Sequence, residues 1–182
     1  MIPAPSIIHV LDRDFALTIP HDEILSRVRS LAEQLNTDYA GKHPVMVCIL
    51  NGAFMFAADL VRELTFQPEI QFARFSSYQG MNTTGVVREL LGVTANLQAR
   101  DVIIVEDIVD TGTTMYNLLP QFLAKGAHSV RIATFLQKPD CLTVPLTVDY
   151  CAMQIPNQFI VGYGLDYNGM GRNFRDIYTV VE

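Results

Sequence analysis

Between His21 and Tyr39, apolar residues recur at Ile24, Leu25, Val28, Leu31, Ala32 and Leu35, which gathers them on one face of a helix. The run Val45-Met46-Val47-Cys48-Ile49-Leu50 lacks that period and ends at Asn51-Gly52, so it predicts a short strand. Phe54 to Leu64 returns to helical spacing, and Ile70 to Phe75 predicts another strand. Ser76 to Gly85 is polar and contains glycine, which predicts a loop or lid. Val102-Ile103-Ile104-Val105 is apolar on both alternating faces, as expected of a strand covered on both sides in a parallel sheet. Met115 to Lys125 predicts a helix that stops before Gly126, and Val130 to Leu136 a further strand. Strands alternating with helices predict an α/β fold with a mostly parallel sheet. From Asp140 onward, Pro145, Pro156 and several glycines break the alternation and predict a small appended lobe.

The 182 residues suit one domain with a full core, whereas two independent domains would each be small. No apolar run approaches the ~20 residues needed to span a bilayer, so no membrane partner is expected. Met1-Ile2-Pro3-Ala4-Pro5 lacks a basic region followed by an apolar stretch, which predicts no secretory signal. The three cysteines, Cys48, Cys141 and Cys151, lack metal-ligand spacing. Cys48 sits in an apolar run and reads as the buried thiol of a reducing compartment, so a cytoplasmic protein is expected. The net charge of -6 argues against non-specific nucleic-acid binding, which needs basic residues against phosphates. It leaves room for a small anionic ligand held by local donors and a divalent cation.

The segment Val102 to Thr114 carries the strongest chemical signal. An apolar strand emerges into Glu106 and Asp107, and Asp110 opens the loop Thr111-Gly112-Thr113-Thr114 that leads into a helix. Backbone N–H groups, three hydroxyls and a helix N-terminus together form a phosphate cradle, with Gly112 letting the backbone approach the anion closely. Three carboxylates beside a phosphate make sense if some bind sugar hydroxyls or a divalent cation, or face a group that becomes positive. An acidic helix cap would explain Asp110 and one threonine, but not two further acids at the end of so apolar a strand.

Glu106-Asp107-Ile-Val-Asp110-Thr-Gly-Thr-Thr114 resembles the phosphoribosyl-pyrophosphate motif of type I phosphoribosyltransferases. Leu50-Asn-Gly-Ala-Phe54, Ser76-Ser-Tyr78, Lys138-Pro139 and Phe159-Ile-Val-Gly-Tyr-Gly-Leu-Asp166-Tyr resemble, in order and spacing, the hypoxanthine–guanine members of that family. The resemblance implies a type I phosphoribosyltransferase, Rossmann-like fold with helices on both faces of the sheet. It implies one domain over 1–182, with a core of about 20–136 and a hood from the N-terminal segment and about 137–182.

It also implies roles. Glu106 and Asp107 would contact the ribose hydroxyls and magnesium, Asp110 would exchange a proton with the purine imidazole, and Asp110 to Thr114 would hold the 5-phosphate. Asn51-Gly52 matches a pyrophosphate loop that often carries a basic residue and a non-proline cis peptide, although an ordinary Asn-Gly turn fits the local sequence. Arg74, Ser77, Tyr78 and Arg172 complete the pyrophosphate group, with Arg175 as the fallback for Arg172; Ser77 and Tyr78 begin a mobile loop. Lys138 would donate to the 6-oxo group, Phe159 would stack on the purine, and Ile160 would offer backbone groups to its edge. Asp166 would help place a second magnesium. Thr113 stands where several relatives have lysine, which shifts the cradle toward neutral donors.

The expected reaction is purine salvage: hypoxanthine or guanine plus phosphoribosyl pyrophosphate gives IMP or GMP plus pyrophosphate. The competing readings are a transferase for xanthine or another base, and a non-catalytic regulator of the same fold. His9, His21, His43 and His128 are scattered and suggest no metal cluster or triad. The resemblance implies a homodimer or homotetramer.

Overall fold

The structure is a computed structural model and describes residues 5–77 and 87–181. Its larger sheet has six strands in the order β5-β4-β3-β6-β7-β8. These are β3 (Val45–Leu50), β4 (Glu69–Ser77), β5 (Val87–Leu91), β6 (Asp101–Val109), β7 (Ser129–Gln137) and β8 (Tyr150–Gln154). Every neighbouring pair is parallel except β4 with β5. Three helices, α1 (His21–Asp38), α2 (Phe54–Arg62) and α3 (Thr113–Ala124), join the strands.

Alternation along the strands sorts the core into two layers. Met46, Cys48, Ile103, Val105, Ala133 and Phe135 share one cluster with the buried faces of α1 and α2. Val45, Val47, Ile49, Val102, Ile104 and Ile132 share the other with Met115, Leu118 and Phe122 of α3. The sheet is thus covered on both faces, as its unbroken apolar runs require. In α1 the predicted stripe is the buried face, with Ile24, Val28, Leu31, Ala32 and Leu35 all buried and Leu25 half-buried.

A second, antiparallel sheet in the order β1-β2-β10-β9 forms the hood. It combines β1 (Ile7–Val10) and β2 (Arg13–Ile19) with β9 (Ile160–Val161) and β10 (Ile177–Val180). Buried Asp176 fixes it to the core by accepting the His21 backbone N–H at 2.8 Å, placing an acid at the N-terminus of α1.

Some boundaries differ from the sequence expectation. Strand β6 continues past Val105 to Val109, because Glu106 still pairs with Thr134 and Ile108 with Leu136, so both acids lie inside the strand. Ser76 and Ser77 extend β4 and pair with Arg88 and Val87 of β5, an element the sequence did not suggest. The remainder of the predicted loop, including Tyr78, lies outside the described residues. Residues 150–154, expected in the hood, instead form the sixth strand of the large sheet. Tyr150 explains the difference: it is buried against Tyr39, and its hydroxyl donates to Asp38 at 2.6 Å, so the end of α1 covers the new edge. Helix α2 ends at Arg62, two residues before the predicted stop.

Cys48 is fully buried, and loss of solvation pushes its thiol up to about 12. Burial also raises the half-buried Cys151. Only the thiolate reacts readily, so an aromatic disulfide reagent at about pH 8 is expected to leave Cys48 unmodified in the folded protein. All three thiols are expected to react in guanidinium; rapid labelling of native Cys48, located by peptide mapping, would contradict this burial.

Candidate active site

Because β3, β4, β6 and β7 run parallel, their carboxyl ends share one edge of the sheet, where ligands bind in open α/β folds. Asn51-Gly52 leaves β3, Arg74 and Ser77 lie at the end of β4, Glu106 to Asp110 end β6, and Lys138 follows β7.

After β6 the chain turns through Asp110-Thr111 into Gly112, whose φ of 78° favours glycine, and α3 begins at Thr113. Gly112 is the N-cap, with no capping side-chain hydrogen bond among the described residues, so Asp110 is not the helix cap. The Thr113 N–H reaches the Thr111 hydroxyl at 3.5 Å, and the other first-turn N–H groups stay available for an anion. A cavity of about 240 Å³ lies against this turn, lined by Glu106, Ile108, Asp110, Thr111, Gly112 and Thr114. Thr113 is exposed beside it, its hydroxyl 3.2 Å from that of Thr111. Thr143, which the sequence gave no reason to choose, props the turn by donating its N–H to the Thr111 carbonyl at 3.0 Å.

Two acids behind the turn have different surroundings. Glu106 is buried and accepts the Asp107 N–H at 3.2 Å, while Asp107 accepts the Ile108 N–H at 2.8 Å. Burial, and then the neighbouring Asp107 carboxylate, push the Glu106 carboxyl well above the usual carboxylate range. Gly52 is buried directly against Asp107: a methyl group on Gly52 would overlap the Asp107 carboxylate. The Leu50–Asn51 peptide is cis, and the Asn51 side chain is exposed.

Lys138 is 7% exposed yet charged, and its ammonium donates to Asp110 Oδ2 at 3.0 Å and to Asn157 Oδ1 at 3.4 Å. Such burial is tolerable because the charge is paired. Asn157 also escaped the sequence reading, since Asn157-Gln158 after Pro156 reads as an ordinary polar turn. Phe159 is 45% exposed, with its ring supported by Phe15 at 6.2 Å and by Tyr167 at 5.6 Å. Ile160 is buried in β9.

Arg172 turns its guanidinium to the Gly164 carbonyl at 2.7 Å and to Asp166 at 2.6 Å. Asp166 also accepts the Gly169 N–H at 2.7 Å. Arg175 contacts Asp176 instead, at 3.4 Å. Arg74 is exposed and paired in register with Leu50, so it stands beside the Asn51 loop. Ser77 ends β4. Among the described residues no three His, Cys, Asp or Glu side chains converge as a metal cage. The adjacent acids Glu106 and Asp107 fit a divalent cation that takes one or two carboxylates and leaves its other positions to water and substrate oxygens.

The fold and this edge define a Rossmann-like α/β protein whose glycine-containing strand-to-helix turn lies at the carboxyl ends of a mostly parallel sheet. Residues 20–168 match the phosphoribosyl transferase domain, and the chain belongs to that family. It is 44% identical over 165 residues to the hypoxanthine-guanine phosphoribosyltransferase of Streptococcus pneumoniae, covering 90% of this chain and 92% of that protein. Among solved structures it is similar to a hypoxanthine-guanine phosphoribosyltransferase from Bacillus anthracis, with TM-score 0.87 and 37% identity over 91% of this chain and 98% of the other. A hypoxanthine phosphoribosyltransferase from Staphylococcus aureus gives TM-score 0.87 and 34% identity over 91% of this chain and 90% of that one.

A carboxyl raised by folding binds its proton more tightly in the native state, so its ionisation removes stability as pH rises above the unfolded value. In chelator-containing buffer, Glu106→Gln is therefore expected to raise Tm relative to the parent at about pH 8. The gap should close as pH falls toward the ordinary value of 4.5. A gap that widens on acidification would show that Glu106 is not held in this way.

Proposed function

We propose that the chain is a purine-salvage enzyme that transfers the 5-phosphoribosyl group of phosphoribosyl pyrophosphate to hypoxanthine or guanine, giving IMP or GMP and pyrophosphate. The observation that carries the base assignment is the buried Lys138 ammonium held 3.0 Å from the Asp110 carboxylate. A 6-oxopurine presents O6 and N7 side by side on one edge. Lys138 meets O6 as a donor, and Asp110 meets N7 and manages its proton. A 6-aminopurine would set a donor against Lys138, a mismatch worth a few kcal/mol in a buried site.

Phe159 stacks on the base, and the Ile160 backbone borders its edge. The turn from Asp110 through Thr111, Gly112, Thr113 and Thr114 holds the 5-phosphate. Glu106 and Asp107 hold the ribose hydroxyls, and their pairing suits them to bind Mg2+. Bound there, magnesium would neutralise charge on the departing diphosphate. Asn51, Gly52, Arg74, Ser77, Tyr78 and Arg172 receive that diphosphate, with Asp166 orienting Arg172. Asp166 would also help to place a second magnesium near the base. The residues contribute positioning and preorganised charge around an oxocarbenium-like centre, without a covalent enzyme intermediate.

Among the described residues no helix is long and apolar enough to cross a membrane; the cytoplasmic setting we assign rests on the free, buried thiol of Cys48. Exposed Phe54, Ile70 and Phe72 surround an apolar cavity of about 270 Å³ beside α2, the face we assign to a second copy in a dimer or tetramer.

Parallel assays with hypoxanthine, guanine, xanthine and adenine are the direct test. Turnover of hypoxanthine or guanine is expected at least roughly 100-fold above adenine. Preference for xanthine or adenine would overturn the base assignment, and no turnover of any base with magnesium present would favour a regulator. Asp110→Asn, which keeps an acceptor for Lys138, is expected to lower kcat by roughly 10²–10⁴ while changing Kd for the sugar phosphate little. Equal kcat in the variant would remove the proton-handling role.

A further inference from the structure

Tyr163 is a hood residue whose side chain belongs to the core. Its backbone has φ 48° between Gly162 and Gly164, both at φ 98°, and its N–H donates to the Phe174 carbonyl at 2.7 Å. This geometry aims the ring out of the hood and down against Phe135 of β7, at 5.1 Å between centroids. The ring is 1% exposed, and its hydroxyl donates to Asp59 Oδ2 at 2.8 Å in the second turn of α2. Burial, and then Asp59, raise the phenol further above its ordinary range, so it remains a donor at any working pH. The other Asp59 oxygen is held by Arg62 at 3.0 Å.

The residue after Tyr163 touches the site. A methyl group on Gly164 would overlap the Gly52 carbonyl, and one on Gly52 would overlap the Asp107 carboxylate. Gly164, Gly52 and Asp107 are therefore stacked without room for a side chain between them. Helix α2 starts at Phe54, two residues after Gly52. The hood thus grips the Asn51-Gly52 loop and its helix at two points: Gly164 presses on the loop, and Tyr163 is bonded to the helix.

We propose that Tyr163 and Asp59 are positioning residues for the diphosphate end of the substrate, acting through Gly164 and Gly52 to hold the Asn51 loop against Asp107. The assignment rests on the reading of that loop as the diphosphate site. Neither side chain touches substrate. Their bond fixes how far the hood loop descends, and hence where the Gly52 backbone lies relative to the acidic pair.

Tyr163→Phe keeps the ring packing and removes only the hydroxyl, and Asp59→Ala removes the acceptor from the other side. Each is expected to raise KM for phosphoribosyl pyrophosphate, and Ki for inorganic pyrophosphate, roughly three- to ten-fold. KM for the purine base is expected to stay within about two-fold. The double variant should be no worse than either single one, since both break the same link. If Tyr163→Phe does not fold, Asp59→Ala carries the test, because Asp59 lies at the margin of the core. A lowered Tm with both KM values unchanged, or an equal rise in both, would overturn the proposal and leave a merely structural bond. Asn51→Asp serves as the control on the loop itself. It should raise the same two constants, and if it does not, the diphosphate reading of the loop fails. If it does while Tyr163→Phe and Asp59→Ala are neutral, only the positioning role fails.

Discussion

The parallel ladder between β6 and β7 is the constraint on which the site depends. It runs from Asp101 opposite Ser129 to Val109 opposite Gln137, and Lys138 then donates its N–H to the Val109 carbonyl at 2.9 Å. Because the ladder holds to its last residue, Asp110 and Lys138 leave the sheet side by side and pair across the seam. The same continuity keeps Glu106 inside the sheet, where desolvation raises its carboxyl, rather than on a loop where water would keep it ordinary. An earlier end to the pairing would free the Thr111-Gly112 turn from its anchor and separate the two groups that would read a base edge. The chemistry of this edge therefore follows from backbone hydrogen bonds before any side chain is considered.

The hood is coupled to that edge by contacts that admit no side chain. At Gly164 and Gly52 a Cβ would strike a carbonyl and a carboxylate respectively, and at Gly162 it would strike the Asp176 backbone. At Gly164 and Gly162 the obstacle is backbone, so a substitution there could be relieved only by moving the hood or the loop, whereas at Gly52 it is the Asp107 side chain that would have to turn away. Asp176 ties the same hood segment to the first N–H of α1. These stiff contacts act together with Ile19, Ile160 and Ile177, which pack into the same apolar cluster as α1, α2 and one face of the large sheet.

Much of the frame was legible in the sequence because its causes are local. The stripe of α1 and the two-faced apolar runs of β3 and β6 are buried as their periods required. The Asp110-to-Thr114 turn was visible as acids and hydroxyls at the mouth of such a strand, and the cavity lies there. What was hidden comes from tertiary pairing. Strand β6 looked finished at Val105 because two acids seldom sit within a buried strand, yet β7 carries the ladder past them. Strand β8 was expected in the appended lobe because Pro145 and Pro156 break the alternation, and its burial depends on Tyr39 of distant α1. Thr143 and Asn157 reach the site only through chain reversal, and nothing in their neighbours marks them. Gly52 was legible as a turn, but its contact with Asp107 joins two strands and so is silent in either one alone.

The charge balance constrains how the proposed site could hold an anion. The chain carries -6 overall, so its far field opposes a polyanionic ligand rather than steering it in. Two of the cations near the edge are already committed, Lys138 to Asp110 and Arg172 to Asp166. Under the proposed function, Arg74, Arg172 and magnesium would serve the diphosphate, while the 5-phosphate would rest on groups that act only at contact: the first turn of α3 and the hydroxyls of Thr111, Thr113 and Thr114. Donors of this kind are sensitive to position and comparatively insensitive to salt, because a Debye length of about 8 Å hardly screens a hydrogen bond. A site built in that way gains from rigidity more than from added charge. That is why an acidic chain can reserve so much of its structure, from the β6–β7 ladder to the glycine stack, for holding a few neutral donors in place.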